Sequence, residues 1–77
     1  MRVQVKLFAG LRKLAPEGKT PFPLELPDGA TVGDLLKSLG VPEDKPKILL
    51  VNGRHAGKDQ GLSDGDEVSI FPPVAGG

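Results

Sequence analysis

Helical periodicity is sustained in a single stretch of this chain, where Val32, Leu35, Leu36 and Leu39 recur on one face between Thr31 and Gly40. A lone amphipathic helix has no second helix to bury its stripe against, so the remaining chain must supply a sheet. Thr31 is placed to cap the helix, with Asp34 three residues on to favour its positive end, and Gly40 and Pro42 stop it.

The rest of the sequence supplies that sheet. From Arg2 to Phe8, Val3, Val5 and Leu7 alternate with Arg2, Gln4 and Lys6, which predicts a first strand with one buried face. Ala9 to Leu14 predicts one or two helical turns before Pro16. Phe22, Leu24 and Leu26 predict a second strand, and Pro23 within it an edge position or a strand start. After the helix a charged loop, Glu43–Lys47, leads to a strand over Ile48–Val51. Asn52-Gly53 is a strong two-residue hairpin signal, which predicts a partner strand from Arg54 to about Ala56. Asp64-Gly65 turns the chain into a last strand, Glu67–Phe71, ended by Pro72-Pro73. The expected architecture is α+β, a mixed sheet with one main helix packed across it. Residues 1–73 form the domain and residues 74–77 a tail.

At 77 residues the chain makes one small domain, in which a deep internal pocket is not expected. Ten basic and ten acidic residues cancel, leaving no field to hold a nucleic acid or an anionic membrane. The absence of cysteine removes disulfides, thiolate metal sites and a cysteine nucleophile. The short apolar runs fall far below the ~20 residues that span a bilayer, and Met1–Ala15 lacks a signal peptide's unbroken apolar stretch. A cytoplasmic location is expected.

Three motifs invite chemistry and are better read as structure. Gly18-Lys19-Thr20 lacks the earlier glycine and the preceding strand of a phosphate-binding loop. Asp64-Gly65-Asp66-Glu67 lacks the ligand spacing of a calcium loop and reads as a turn. His55 has no nearby serine or cysteine in sequence to activate, and reads as a surface residue. Phe8 and Phe71 are more informative, because each falls on the polar parity of its strand. Either both face outward, side by side if the two strands are neighbours, as an anchor for a partner, or each folds over the edge of the core.

The chemical handle is the end of the chain, Pro72-Pro73-Val74-Ala75-Gly76-Gly77. Such an end can be frayed chain and nothing more. The two prolines, however, remove backbone donors and direct the tail away from the body, and Val74–Gly77 can extend roughly 13 Å into a partner at ~3.3 Å per residue. Gly76 and Gly77 have no Cβ, so a narrow channel can close on them. A carboxylate is a poor electrophile and requires activation, most simply as an acyl-adenylate formed from ATP, before a sulfur or amine nucleophile can attack.

The segments Val3-Gln-Val-Lys-Leu-Phe-Ala-Gly-Leu-Arg12, Leu26-Pro-Asp-Gly-Ala-Thr-Val-Gly-Asp-Leu-Leu36, Val51-Asn-Gly53 and Leu62-Ser-Asp-Gly-Asp-Glu-Val-Ser-Ile-Phe-Pro-Pro-Val-Ala-Gly-Gly77 together resemble the MoaD/ThiS group of ubiquitin-like sulfur carriers. The likeness spans the chain and is nearest to the small subunits of molybdopterin synthase, which typically open with Phe-Ala-x-Leu-Arg and close with Gly-Asp-Glu-Val-x-x-x-Pro-Pro-Val-x-Gly-Gly. Ala75 stands where serine is frequent, and Val41–Lys47 is shorter and richer in proline than expected of many small subunits. The resemblance implies a β-grasp fold and a thiocarboxylate at Gly77. An adenylating partner enzyme of the ubiquitin-activating type would use the ATP, so the chain itself would bind no cofactor. A sulfur donor system would then load Gly77, and a large catalytic subunit would receive the tail and pass sulfur to a pterin precursor of the molybdenum cofactor. Thiamine and tRNA thiolation carriers share the tail. A lysine-conjugated modifier and an unreactive β-grasp interaction module are the other functions considered.

Overall fold

In the computed structural model, which describes residues 1–41 and 47–72, five strands and one α-helix form a single layered unit. The strands are β1 (Arg2–Leu7), β2 (Phe22–Glu25), β3 (Ile48–Val51), β4 (Arg54–His55) and β5 (Glu67–Phe71), and the helix is α1 (Val32–Leu39). Their order across the sheet is β2-β1-β5-β3-β4. β1 and β5 run parallel, and the other neighbouring pairs run antiparallel, so the sheet is mixed as expected. Pro23 is on edge strand β2, opposite Gln4, where its missing N–H breaks no ladder with a further strand.

The alternation read in the sequence becomes two faces. Val3, Val5 and Leu7 from β1 and Val68 and Ile70 from β5 are almost wholly buried, together with Val32, Leu35 and Leu36 of α1. Full burial of each large aliphatic side chain contributes roughly 1.5–3 kcal/mol. One exception to the alternation is Ser69, buried although it lies on the other face. Its strand is central, and in register it stands between Lys6 and Leu50.

Both ends of α1 are satisfied. Thr31 Oγ1 accepts the Asp34 N–H at 3.3 Å while Asp34 Oδ2 accepts the Thr31 N–H at 2.9 Å, a reciprocal capping box. Two further first-turn donors, the N–H groups of Val32 and Gly33, reach the carbonyls of Gln60 and Lys58, each at 2.9 Å. The loop before β5 therefore completes the cap, a long-range pairing that the local sequence does not disclose. Gly40 ends the helix in the left-handed region at φ 78°.

Three local expectations are refined. Ala9–Leu14 forms the expected helical turns in 3₁₀ geometry, followed by a short turn at Pro16–Gly18. Strand β2 ends at Glu25 and leaves Leu26 beyond it, and β4 is only two residues long. Residues 42–46 and 73–77, which include all of the charged loop but Lys47 and the whole of the 74–77 tail, lie outside the described residues.

Candidate functional site: the aromatic pair at the tail's base

β1 and β5 pair in parallel, so both strands finish at the same edge of the sheet, where the chain leaves towards its tail. The register places Leu7 beside Ile70 in the core and carries Phe8 and Phe71 forward together on the opposite face. Their rings stack, with centroids 4.1 Å apart and planes 9° from parallel. Both are half-buried and neither belongs to the core cluster. Of the two readings of these residues, the outward placement is the observed one. The Phe8 N–H donates to the Ile70 carbonyl at 3.2 Å, which continues the ladder one residue past β1.

Immediately afterwards the chain turns at Ala9, whose φ of 51° lies in the left-handed region that an alanine seldom occupies. That turn ends the strand at the phenylalanine and leads into the 3₁₀ helix. Ile48, directly opposite Phe71 in register, is the exposed large aliphatic of this surface. Leu50 lies on the same parity two residues on. Beyond Phe8, a recess of about 260 Å³ is lined by Lys6, Leu7, Phe8, Thr20 and Pro21. Sequence reasoning missed Ile48 and this recess. Ile48 was detectable in principle, because antiparallel pairing of β3 with β5 puts it on the parity of Phe71, but the strand order had to be known first.

An ion pair borders the aromatic surface: Lys6 Nζ lies 3.2 Å from Glu67 Oε1, across the β1–β5 boundary. Both side chains are substantially solvated, so the pair adds little stability. Pro72, half-buried, follows directly on β5. Pro73, Val74, Ala75, Gly76 and Gly77 fall outside the described residues.

The remaining motifs are occupied by structural tasks. Thr20 Oγ1 accepts the Leu7 N–H at 2.9 Å and donates to the Val5 carbonyl at 3.2 Å, which extends the pairing along β1 ahead of the start of β2. Asp64 Oδ1 accepts the Arg2 N–H and Asp66 Oδ2 the Ser63 N–H, each at 2.8 Å, as turn residues do. Among the described residues, no group of three His, Asp or Glu side chains is placed to hold a metal ion. His55 is exposed on β4 and lines a wide, open groove with Asn52, Arg54, Gln60, Ser63 and Asp66. That groove lies by the start of β5, at the opposite end of the strand from Phe71. No described helix is long and apolar enough to cross a membrane.

Comparison with known proteins agrees with this architecture. Residues 5–77 match the ThiS family. The chain is 37% identical, over a 94-residue alignment covering all of both proteins, to small archaeal modifier protein 3 of Haloferax volcanii. It is 31% identical to the molybdopterin synthase sulfur carrier subunit of Escherichia coli, covering 97% of this chain and 99% of that one. The crystal structure of small archaeal modifier protein 1 of H. volcanii superposes with a TM-score of 0.78 at 31% identity, covering 95% of this chain and 98% of that one. A ubiquitin of Caldiarchaeum subterraneum, 22% identical over all of this chain and 98% of its own, shares the fold with a TM-score of 0.62. The fold is ubiquitin-like, and the chain belongs to the ThiS family, within the MoaD/ThiS group of ubiquitin-like sulfur carriers.

Proposed function

We propose that the chain carries sulfur as a thiocarboxylate on Gly77 and donates it in molybdopterin synthesis, as the small subunit of a two-part synthase. The observation that carries this reading is the extent of the family match, which runs through residue 77 and so includes the diglycine. The relative in E. coli, named a molybdopterin synthase sulfur carrier subunit, supports the choice of pathway.

The chemistry divides between this chain and its partners. A carboxylate oxygen of Gly77 attacks the α-phosphorus of ATP on an adenylating enzyme, and pyrophosphate leaves. The resulting acyl-adenylate is a mixed anhydride, so hydrosulfide can attack the carbonyl carbon and displace AMP to leave the thiocarboxylate, whereas a donor persulfide would leave an acyl disulfide whose S–S bond a thiol of the donor system then cleaves. The chain's own contribution is delivery. Pro72 and Pro73 stop the sheet and aim the tail, Val74 and Ala75 span the channel, and Gly76 gives clearance beside the reacting carbonyl. Phe8 and Phe71, at the tail's base, dock the body of the carrier against the large subunit, which fixes how far the tail can reach.

Deleting Gly77 tests this directly. The variant should fold normally and transfer no sulfur; retained transfer would contradict the assignment.

A second reading has a specific observation in its favour, since the relative that is 37% identical is named a modifier. In that case the same adenylate is attacked by a lysine amine on a target protein, and an isopeptide bond forms as AMP leaves. Tryptic branched peptides carrying Asp59–Gly77, the stretch beyond the last basic residue Lys58, on a target lysine would establish conjugation alongside or in place of sulfur transfer.

A further inference from the structure

The β3–β4 hairpin turns at Asn52 and Gly53, with φ of 52° and 83°, the left-handed pair that a two-residue hairpin of this kind requires. Asn52 is the chain's single asparagine, and the residue after it has no side chain to hinder its backbone nitrogen. Its amide is held on both sides. Asn52 Nδ2 donates to Asp66 Oδ1 at 3.0 Å, and Asn52 Oδ1 accepts the Glu67 N–H at 3.0 Å. The Asn52 backbone N–H also donates to the Glu67 carbonyl, at 2.8 Å. These bonds tie the side chain to the start of β5, although Asn52 is solvent-exposed.

We propose that Asn52 is a spontaneous deamidation site whose reaction is throttled by its bonds to Asp66 and Glu67. When the hairpin opens, the Gly53 nitrogen attacks Asn52 Cγ. A C–N bond forms, the peptide nitrogen loses its proton to solvent, and the Cγ–Nδ2 bond breaks as ammonia leaves. Water then opens the five-membered imide at either carbonyl, giving aspartate or isoaspartate at position 52. The net change is addition of water and loss of ammonia, with no redox partner. The product is disfavoured in the closed hairpin, because a carboxylate replaces the donor that faced Asp66. Closure of the hairpin against β5 thus sets a chemical lifetime for the folded chain.

The test is peptide mapping by mass spectrometry of the full chain, aged at neutral to mildly alkaline pH. Wild type in denaturant should deamidate at position 52 at least about tenfold faster than wild type in native buffer, because the protecting bonds exist only in the closed hairpin. Asp66→Ala, in samples whose circular dichroism matches wild type, should react about fivefold faster than wild type in native buffer, as expected when one solvent-exposed hydrogen bond is lost. Asp66→Asn, which keeps a side-chain oxygen to accept from Asn52, should stay nearer the wild-type rate. An Asp66→Ala rate equal to wild type, or a wild-type rate that denaturant does not change, would overturn the proposal.

Discussion

Phe8 and Phe71, from opposite ends of the sequence, stack face to face with centroids 4.1 Å apart where two parallel strands finish. The contact closes the first strand onto the last and sets an aromatic surface beside the exit of the tail. Stacked aromatic pairs contribute roughly 0.5–1.5 kcal/mol beyond the area they bury. Phe8→Ala and Phe71→Ala should therefore each lower stability modestly, and the double variant should cost less than the sum of the two, as read by denaturant unfolding. If the pair also docks a partner, each single change should weaken association by about 1–3 kcal/mol. Additive unfolding losses would show that the rings do not interact, and unchanged association would remove their docking role.

The turn after Phe8 predicts a ranking at Ala9. A β-branched residue at φ 51° is strained, so Ala9→Val should destabilise by about 1–2 kcal/mol. Ala9→Gly should lie within about 0.5 kcal/mol of wild type, because relief of strain is offset by a more flexible unfolded chain. The checking measurement is thermal or urea unfolding of the three proteins side by side.

At the helix start, Thr31→Ala removes the hydroxyl that accepts from Asp34 N–H and should cost about 1 kcal/mol. The change leaves the core and tail untouched. Sulfur transfer at a temperature where the variant stays folded should match wild type, which separates this stabilising role from a functional one.

Leu35 is fully buried beneath the sheet, and Leu35→Ala should cost about 2–5 kcal/mol. In a domain of this size that loss approaches the total stability. A marked fall in the urea midpoint is expected; a loss under about 1 kcal/mol would mean that the site collapses around the missing side chain.

What the sequence disclosed, and what it withheld, follows from the range of each interaction. Period-two alternation and the Val32–Leu39 stripe are local signals, and they gave the strands, the helix and its buried face. The outward parity of Phe8 and Phe71 was equally local, but their stacking required knowing that β1 and β5 are parallel neighbours. The same holds for Ile48 opposite Phe71 and for the loop carbonyls of Lys58 and Gln60 that complete the helix cap. The 3₁₀ form of Ala9–Leu14 was hidden because good helix formers such as Leu11 and Leu14 suit both geometries, while Gly10 and the turn at Ala9 favour the short one. Ser69 reads as polar and exposed by alternation; only its central place between Lys6 and Leu50 accounts for its burial.

The most direct test of the account is the intact mass of the protein after incubation with ATP, an adenylating enzyme of the ubiquitin-activating type and a sulfide source. The expected result is a gain equal to the exchange of one oxygen for sulfur, localised by fragmentation to Gly77. An unchanged mass, with the same enzyme shown to be active on another carrier, would contradict the sulfur-carrier assignment.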